Sequence, residues 1–410
     1  MLPQAGEAVS PVTKRVYDNS FLDKMRLIGD PAADRAVEEI YRTGRLAAVQ
    51  SLLDHLVVND AVVPAALPPA IRTFWNQSKE FARSQAARIE KGEAFFADHG
   101  PEIVMVLGFY SLPEDYAARG VRVLFETGEL SHRPNRRVFE TLQMVIDVMS
   151  PGGLAAEGRG IATALKVRLM HATVRTLLLH GYEIHNLPPS LGQWDFSLGR
   201  PLNQEDMAGT LMSFSVLVIE GLEKLGIRAN ADKAEAYLDA WRVVARILGI
   251  QPELIPENLE EARRLKEIIG DRQIAPGAMS RSMTQSLLAF YQERIPWRLL
   301  KGIPAALMRL FLVEEIADGL GIPRARFWTL VIQILAPLSA LADRVLSTGT
   351  NRWLCRRLTI RMIQHLIDVS RGGDRPLFQL PRTLDQAWRI SEYGRDSIWN
   401  RAMRSLRLTR

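Results

Sequence analysis

Residues 161–180 read IATALKVRLMHATVRTLLLH, and the architecture of the whole chain turns on how this stretch is read. Its apolar residues Leu165, Val167, Leu169, Met170, Val174, Leu177 and Leu178 run most of the way round a helix, which marks a helix buried in a core rather than laid on a surface. Into that apolar cylinder are set Arg168, His171 and Arg175, at i, i+3 and i+7 and so on one face. Three side chains that can each be cationic cannot satisfy one another inside a core. The face therefore calls for carboxylates, an anionic ligand or a metal-bearing cofactor. A lone helical histidine is ordinarily a hydrogen-bonded core residue. Neutral imidazole is also a common ligand for iron, and Ala172 beside His171 is small enough to let a flat macrocycle approach.

Upstream, the pattern predicts a helix over 136–149. Val138, Leu142, Val145, Ile146 and Met149 form its core face. A second face carries Arg137, Glu140, Thr141, Met144 and Val148, polar at its start and apolar further on. A few placed polar groups among hydrophobic walls is the composition expected beside a buried cofactor. Ser-Pro-Gly-Gly at 150–153 breaks this helix, and Glu-Gly-Arg-Gly at 157–160 leads into the next. Gly158-Arg159-Gly160 follows no strand pattern, so it reads as a turn and not as a phosphate loop.

Elsewhere the same helical grammar repeats. Residues 1–30 show weak periodicity and read as an N-terminal arm. A helical hairpin is expected over 31–55, then a helix over 74–98 that the His-Gly-Pro run at 99–101 stops, with Pro101 opening the next helix. Ser111 reads as an N-cap with acidic residues in the turn after it. Asn203 and Asp206 make a capping-box-like start for a helix whose stripe is Met207, Leu211, Phe214, Val218, Leu222 and Leu225, ended by Gly226. Further helices are expected over 231–248, 258–269, 281–294, 303–320, 324–345 and 352–369. No segment has a strand period of convincing length, and no solenoid repeat is present. The fold class is all-α: a single large helical domain over 31–410 after the arm at 1–30.

Bulk properties narrow the partners. The chain has 410 residues, 47% hydrophobic and 24% charged, a globular composition with ample length for a large core. The net charge of +6 is concentrated late, in CRRLTIRMIQ and RAMRSLRLTR. Without aromatic interleaving or a nucleic-acid motif, this reads as a solvated helix face, with a membrane-surface contact as the second reading and no nucleic-acid partner. The single cysteine, Cys355, excludes an intramolecular disulfide and a cysteine-based zinc cluster. No apolar leader or twin-arginine signal opens the sequence, so the expectation is a cytoplasmic protein, monomer or dimer.

Four separated patches, in order, carry a resemblance: ETGELSHRPNRRVFET, GLAAEGRGIATALKVRLMHATVR, WDFSLGRPLNQEDMAGTLMSFSVLVIEGL and AWRVVARILGI. Together they resemble the rubber oxygenase catalytic domain family, which comprises bacterial latex clearing proteins and fungal endoplasmic-reticulum-bound oxygenases. The resemblance implies a globin-like helical core, at about 101–325, that binds haem b, with His171 as iron ligand and Arg168 and Arg175 beside it in the cofactor site. It also implies a distal Arg137-x-x-x-Thr141 pair. Glu140 stands where the rubber-cleaving members place a lysine that can close on the iron. A family glutamate proposed as base falls near Glu126 and Glu129, and neither is assigned. The implied activity is cleavage of a carbon–carbon double bond with O2 as co-substrate, in an isoprenoid or other unsaturated hydrophobic molecule. Two other classes share the features: a helical lipid carrier, which would be colourless, and a haem sensor, which would carry a second axial ligand. His132, His180 and His185 are the candidates for that ligand.

Overall fold

The computed structural model describes residues 15, 17–42, 69–126, 134–156, 158–185, 194–295 and 297–332. In chain order the helices are α1 (Asn19–Arg26), α2 (Pro31–Arg42), α3 (Pro69–Ser84), α4 (Ala86–Val106), α5 (Leu112–Ala117), α6 (Arg122–Glu126), α7 (Pro134–Met149) and α8 (Arg159–His185). They continue with α9 (Gln204–Phe214), α10 (Val216–Lys224), α11 (Ala231–Ile247), α12 (Leu259–Gln273), α13 (Ala278–Glu293), α14 (Ile303–Phe311) and α15 (Glu314–Gly319). Among the described residues there is no strand, only an isolated bridge between Ala118 and Ile274. The fold is all-α. No described helix is long and apolar enough to cross a membrane.

The helix α8 is the axis of the molecule, packed against α2, α3, α7 and α11. Ile161, Ala164, Leu165, Leu169 and Ala172 are buried around it, as its nearly all-round apolar sequence requires. Its N-terminus is fixed by close backbone approach. A Cβ on Gly158 would lie 2.2 Å from the Gly152 carbonyl oxygen, and one on Gly160 would lie 2.7 Å from that of Gly153. The buried Glu93 carboxylate accepts from the amides of Gly152 (2.8 Å) and Leu154 (3.1 Å) and so holds the same turn. Thr163 donates to Asp147 at 2.9 Å, tying α8 to α7. The pair α4 and α11 closes the other side, at a distance set by Gly92, whose Cβ would meet the Ala236 carbonyl oxygen at 2.4 Å.

Several boundaries differ from the sequence expectation. The stop expected at 99–101 is present as a kink: the backbone turns non-helical at His99 (φ −124°, ψ 19°), which accommodates the ring and missing N–H of Pro101, and a second helical stretch of α4 then runs to Val106. A π-turn, Leu107–Ser111, follows it. Ser111 is not a cap. It has helical torsions, and its hydroxyl donates instead to the Ser213 carbonyl at 2.7 Å. The helix expected through Met207 to Leu225 breaks at Ser215 (φ −111°, ψ −89°) into α9 and α10, and the one expected over 303–320 divides at Leu312 and Val313.

The described part of residues 1–30 is no loose arm. Leu22 and Met25 are buried, Tyr17 donates to Glu261 at 2.9 Å, and Arg272 reaches Asp23 at 2.6 Å. Weak periodicity there reflects a helix of only eight residues, which buries Leu22 and Met25. The second half of the 31–55 hairpin, most of 324–345, all of 352–369, Cys355 and the basic stretches after residue 350 lie outside the described residues.

Candidate active site

A cavity of about 240 Å³ lies between α5, α6, α7, α8, α9, α11 and α12. Helix α8 contributes Val167, Met170 and His171 to its wall, and its neighbour α7 contributes Val138, Thr141 and Met144. Trp241, stacked on Phe214 with ring centroids 5.0 Å apart, supplies an aromatic surface. Val123 and Leu202 join the cavity to a small second cluster with Leu178 and Trp194.

The polar stripe of α8 is divided between two tasks. His171 faces the cavity. Arg168 turns to Asp30, with Nε donating to Oδ2 at 2.6 Å and Nη2 to Oδ1 at 3.0 Å, and its guanidinium lies 4.2 Å from the centre of the Phe74 ring. Arg175, only 1% exposed, donates from Nε to Asp34 at 2.8 Å and from Nη1 to the Leu202 carbonyl at 2.9 Å. Both guanidiniums have found the carboxylates that a buried cation requires. Burial raises the Asp34 carboxyl above its ordinary range, and Arg175 pulls against that rise. Leu202 is the one described non-glycine residue with positive φ (51°), and its carbonyl is held by Arg175 while its side chain lines the cavity.

Of the residues singled out from sequence, His171 and Thr141 meet on this wall. Glu140 is buried, 6% exposed, but is not a lining residue. Arg137 lies in α7 with its side chain outside the described residues, as do the side chains of His180 and His185 on α8 and all of His132. Among the described lining residues His171 is the single histidine, and no described group of three His, Cys, Asp or Glu could hold a bare metal ion.

The sequence reading missed the polar end of the cavity. Glu114 and Asp115 of α5, Asp206 and Ser213 of α9, and Lys266 and Gln273 of α12 line it. Ser213 donates to Asp115 at 2.6 Å, and burial, which outweighs that bond, pushes Asp115 up to about 7. Burial likewise pushes Asp206 up to about 6, against the pull of Arg26 at 3.0 Å. Glu114 is raised for the same reason, with Lys266 opposing. The available signal was helical spacing: Asp206, Thr210 and Ser213 on α9 and Lys266, Gly270 and Gln273 on α12 both run i, i+4, i+7.

An apolar cavity with one histidine, inside an all-α domain, is the geometry against which relatives can be compared. The family described as "ER-bound oxygenase mpaB/B'/Rubber oxygenase, catalytic domain" matches residues 102–342. The chain belongs to this family. A curated relative, the rubber oxygenase of Streptomyces sp. (strain K30), is 26% identical over 335 residues, covering 77% of this chain and 78% of the relative. A solved structure of latex clearing protein LCP in the closed state superposes with a TM-score of 0.67 at 23% identity, covering 83% of this chain and 90% of that one. The structural likeness speaks to the fold, the family match and the curated relative to an oxygenase.

Proposed function

We propose that this protein is a haem-dependent oxygenase that cleaves a carbon–carbon double bond of an isoprenoid or similar unsaturated molecule held in the cavity. The observation that carries the reading is His171, a lone imidazole on an apolar wall of a family oxygenase domain. The residues present fit the ring of a haem. One histidine, outside any described group of three His, Cys, Asp or Glu, suits an iron whose remaining ligands come from a macrocycle, and Val138, Met144, Val167 and Met170 offer it apolar faces. Bound there, haem would supply the iron that activates O2 toward an alkene.

The chain's own residues do the rest. His171 would hold the iron. Arg168 and Arg175, both committed to aspartates, hold the ligand helix rather than the cofactor itself. Thr141 places a hydroxyl on the wall from α7, and Arg137, three positions before Glu140, completes the family's Arg-x-x-x-Thr frame. Glu140, buried but off the wall, is assigned to the packing of α7. Apolar walls exclude water from the reacting alkene.

One absorbance spectrum tests the reading. Purified protein is expected to show a Soret band, His171→Ala is expected to fold without it, and oxygen uptake with an unsaturated isoprenoid is expected only from the pigmented form. A colourless wild-type protein that gains no pigment on haem addition would overturn the proposal.

A further inference from the structure

The polar end of the cavity is rich in hydrogen-bond acceptors and poor in donors. Glu114, Asp115 and Asp206 bring carboxyl groups to it. The Ser213 proton is already spent on Asp115 at 2.6 Å, which leaves that hydroxyl oxygen as an acceptor. The one permanent positive charge among the described lining residues, Lys266, is engaged with Glu220.

Gln273 adds an independent sign. It is 6% exposed and lines the cavity; its amide nitrogen donates to Glu205 at 3.2 Å, which fixes the orientation of the amide. Its Oε1 then has no donor among the described residues. A buried acceptor left without a donor costs free energy that an incoming donor recovers. Space exists for one: a Cβ built on Gly270, one turn before Gln273 on the same wall, meets nothing within 4 Å.

From this we infer that the cavity takes an unsaturated hydrophobic chain ending in an uncharged hydrogen-bond donor, a hydroxyl, and disfavours both a plain hydrocarbon and an anionic end group. A hydroxyl gives its proton to the Gln273 oxygen. A hydrocarbon leaves that oxygen unpaired. A carboxylate or phosphate brings only acceptors, and like charge besides, to a wall that already holds three acids. The inference rests on the proposed reading of the cavity as a substrate site for an unsaturated chain, and it concerns the end of that chain remote from the reacting bond.

Equilibrium dialysis of the full chain at pH 8 with farnesol, farnesoic acid and farnesene, three probes on one carbon skeleton, tests it. Farnesol is expected to bind about tenfold or more tighter than the acid, and tighter than the hydrocarbon. Gln273→Leu is expected to lower farnesol to the level of farnesene while leaving farnesene unchanged. Ser213→Ala keeps Gln273 and the carboxylates and is expected to retain the alcohol-over-acid order. Should the Gln273 variant fail to fold, the wild-type order alone decides. Acid bound as tightly as alcohol, or hydrocarbon bound as tightly as alcohol, overturns the inference; farnesylamine bound tighter than farnesol overturns it in favour of a cation. The order is read without haem turnover. A preparation with no Soret band but the expected order would remove the oxygenase reading alone.

Discussion

Arg168 meets Asp30 edge-on, with two hydrogen bonds of 2.6 and 3.0 Å, three residues before His171. Four residues after His171, Arg175 makes the matching contact to Asp34 at 2.8 Å. Two carboxylates one helical turn apart, at the start of α2, thus bracket the position from which the histidine enters the cavity.

The first expectation follows from burial of that pair, whose side chains are 13% and 5% exposed. Asp30→Ala leaves a guanidinium without its counter-charge and is expected to destabilise the fold by about 3–5 kcal/mol, with Asp30→Glu recovering part of the loss. Urea unfolding measures it. A change below about 1 kcal/mol, the size of an exposed pair, would mean that Arg168 finds water instead.

pH dependence offers a second check. Asp115 stands at about 7 in the folded chain against 3.8 ordinarily, so between those values the folded form holds a proton that the unfolded form has released. Stability from this group is highest at low pH, falls as pH rises through that window, and the penalty is complete above 7. Asp206, at about 6, acts in the same direction over a narrower range. Asp115→Asn keeps an acceptor for Ser213 and is expected to flatten the decline between pH 4 and 7. Parallel stability curves for variant and parent would show that Asp115 is hydrated and titrates normally.

Glu140 distinguishes packing from chemistry. Buried and off the wall, it is expected to give a Gln variant that loses about 1–3 kcal/mol of stability while turnover per bound haem stays unchanged. Loss of turnover by about tenfold at unchanged stability would put the carboxylate in the reaction.

Gly270 lies in helix α12 facing open space. Replacement by Ala is expected to stabilise by about 0.5–1 kcal/mol, because glycine weakens a helix and nothing here obstructs a methyl group. Gly270→Leu is expected to fold equally well but to reduce uptake of an isoprenoid probe. Full uptake in the Leu variant would show that the chain enters and lies elsewhere.

What could be read from the sequence was whatever a helix declares about itself. The burial of α8, the position of His171 among apolar neighbours, the Asn203 cap that accepts from the Asp206 amide at 2.9 Å, and the glycine stop at Gly226 are local patterns, and they stand in the structure. The partners of Arg168 and Arg175 were required by charge but could not be named, because Asp30 and Asp34 lie far away in the sequence and helical periodicity does not say which distant elements pack together. Glu114 and Asp115 read as ordinary acids of a first helical turn. Only the packing of α5 against α9 brings Asp115 to Ser213 and turns it into part of a cavity. Pro101 was legible too: the backbone leaves helical torsions at His99, and α4 is two helical stretches that meet at that kink.

The aspartates that bracket His171 belong to residues 30–34, whereas the family likeness spans 102–342. A fragment cut to that likeness would carry Arg168 and Arg175 into its interior with no counter-ion for either, along with a bare face on α8 where α2 had lain. The span that the family model matches is therefore smaller than the cooperative folding unit, and it takes the electrostatic neutrality of its own centre from a segment outside it.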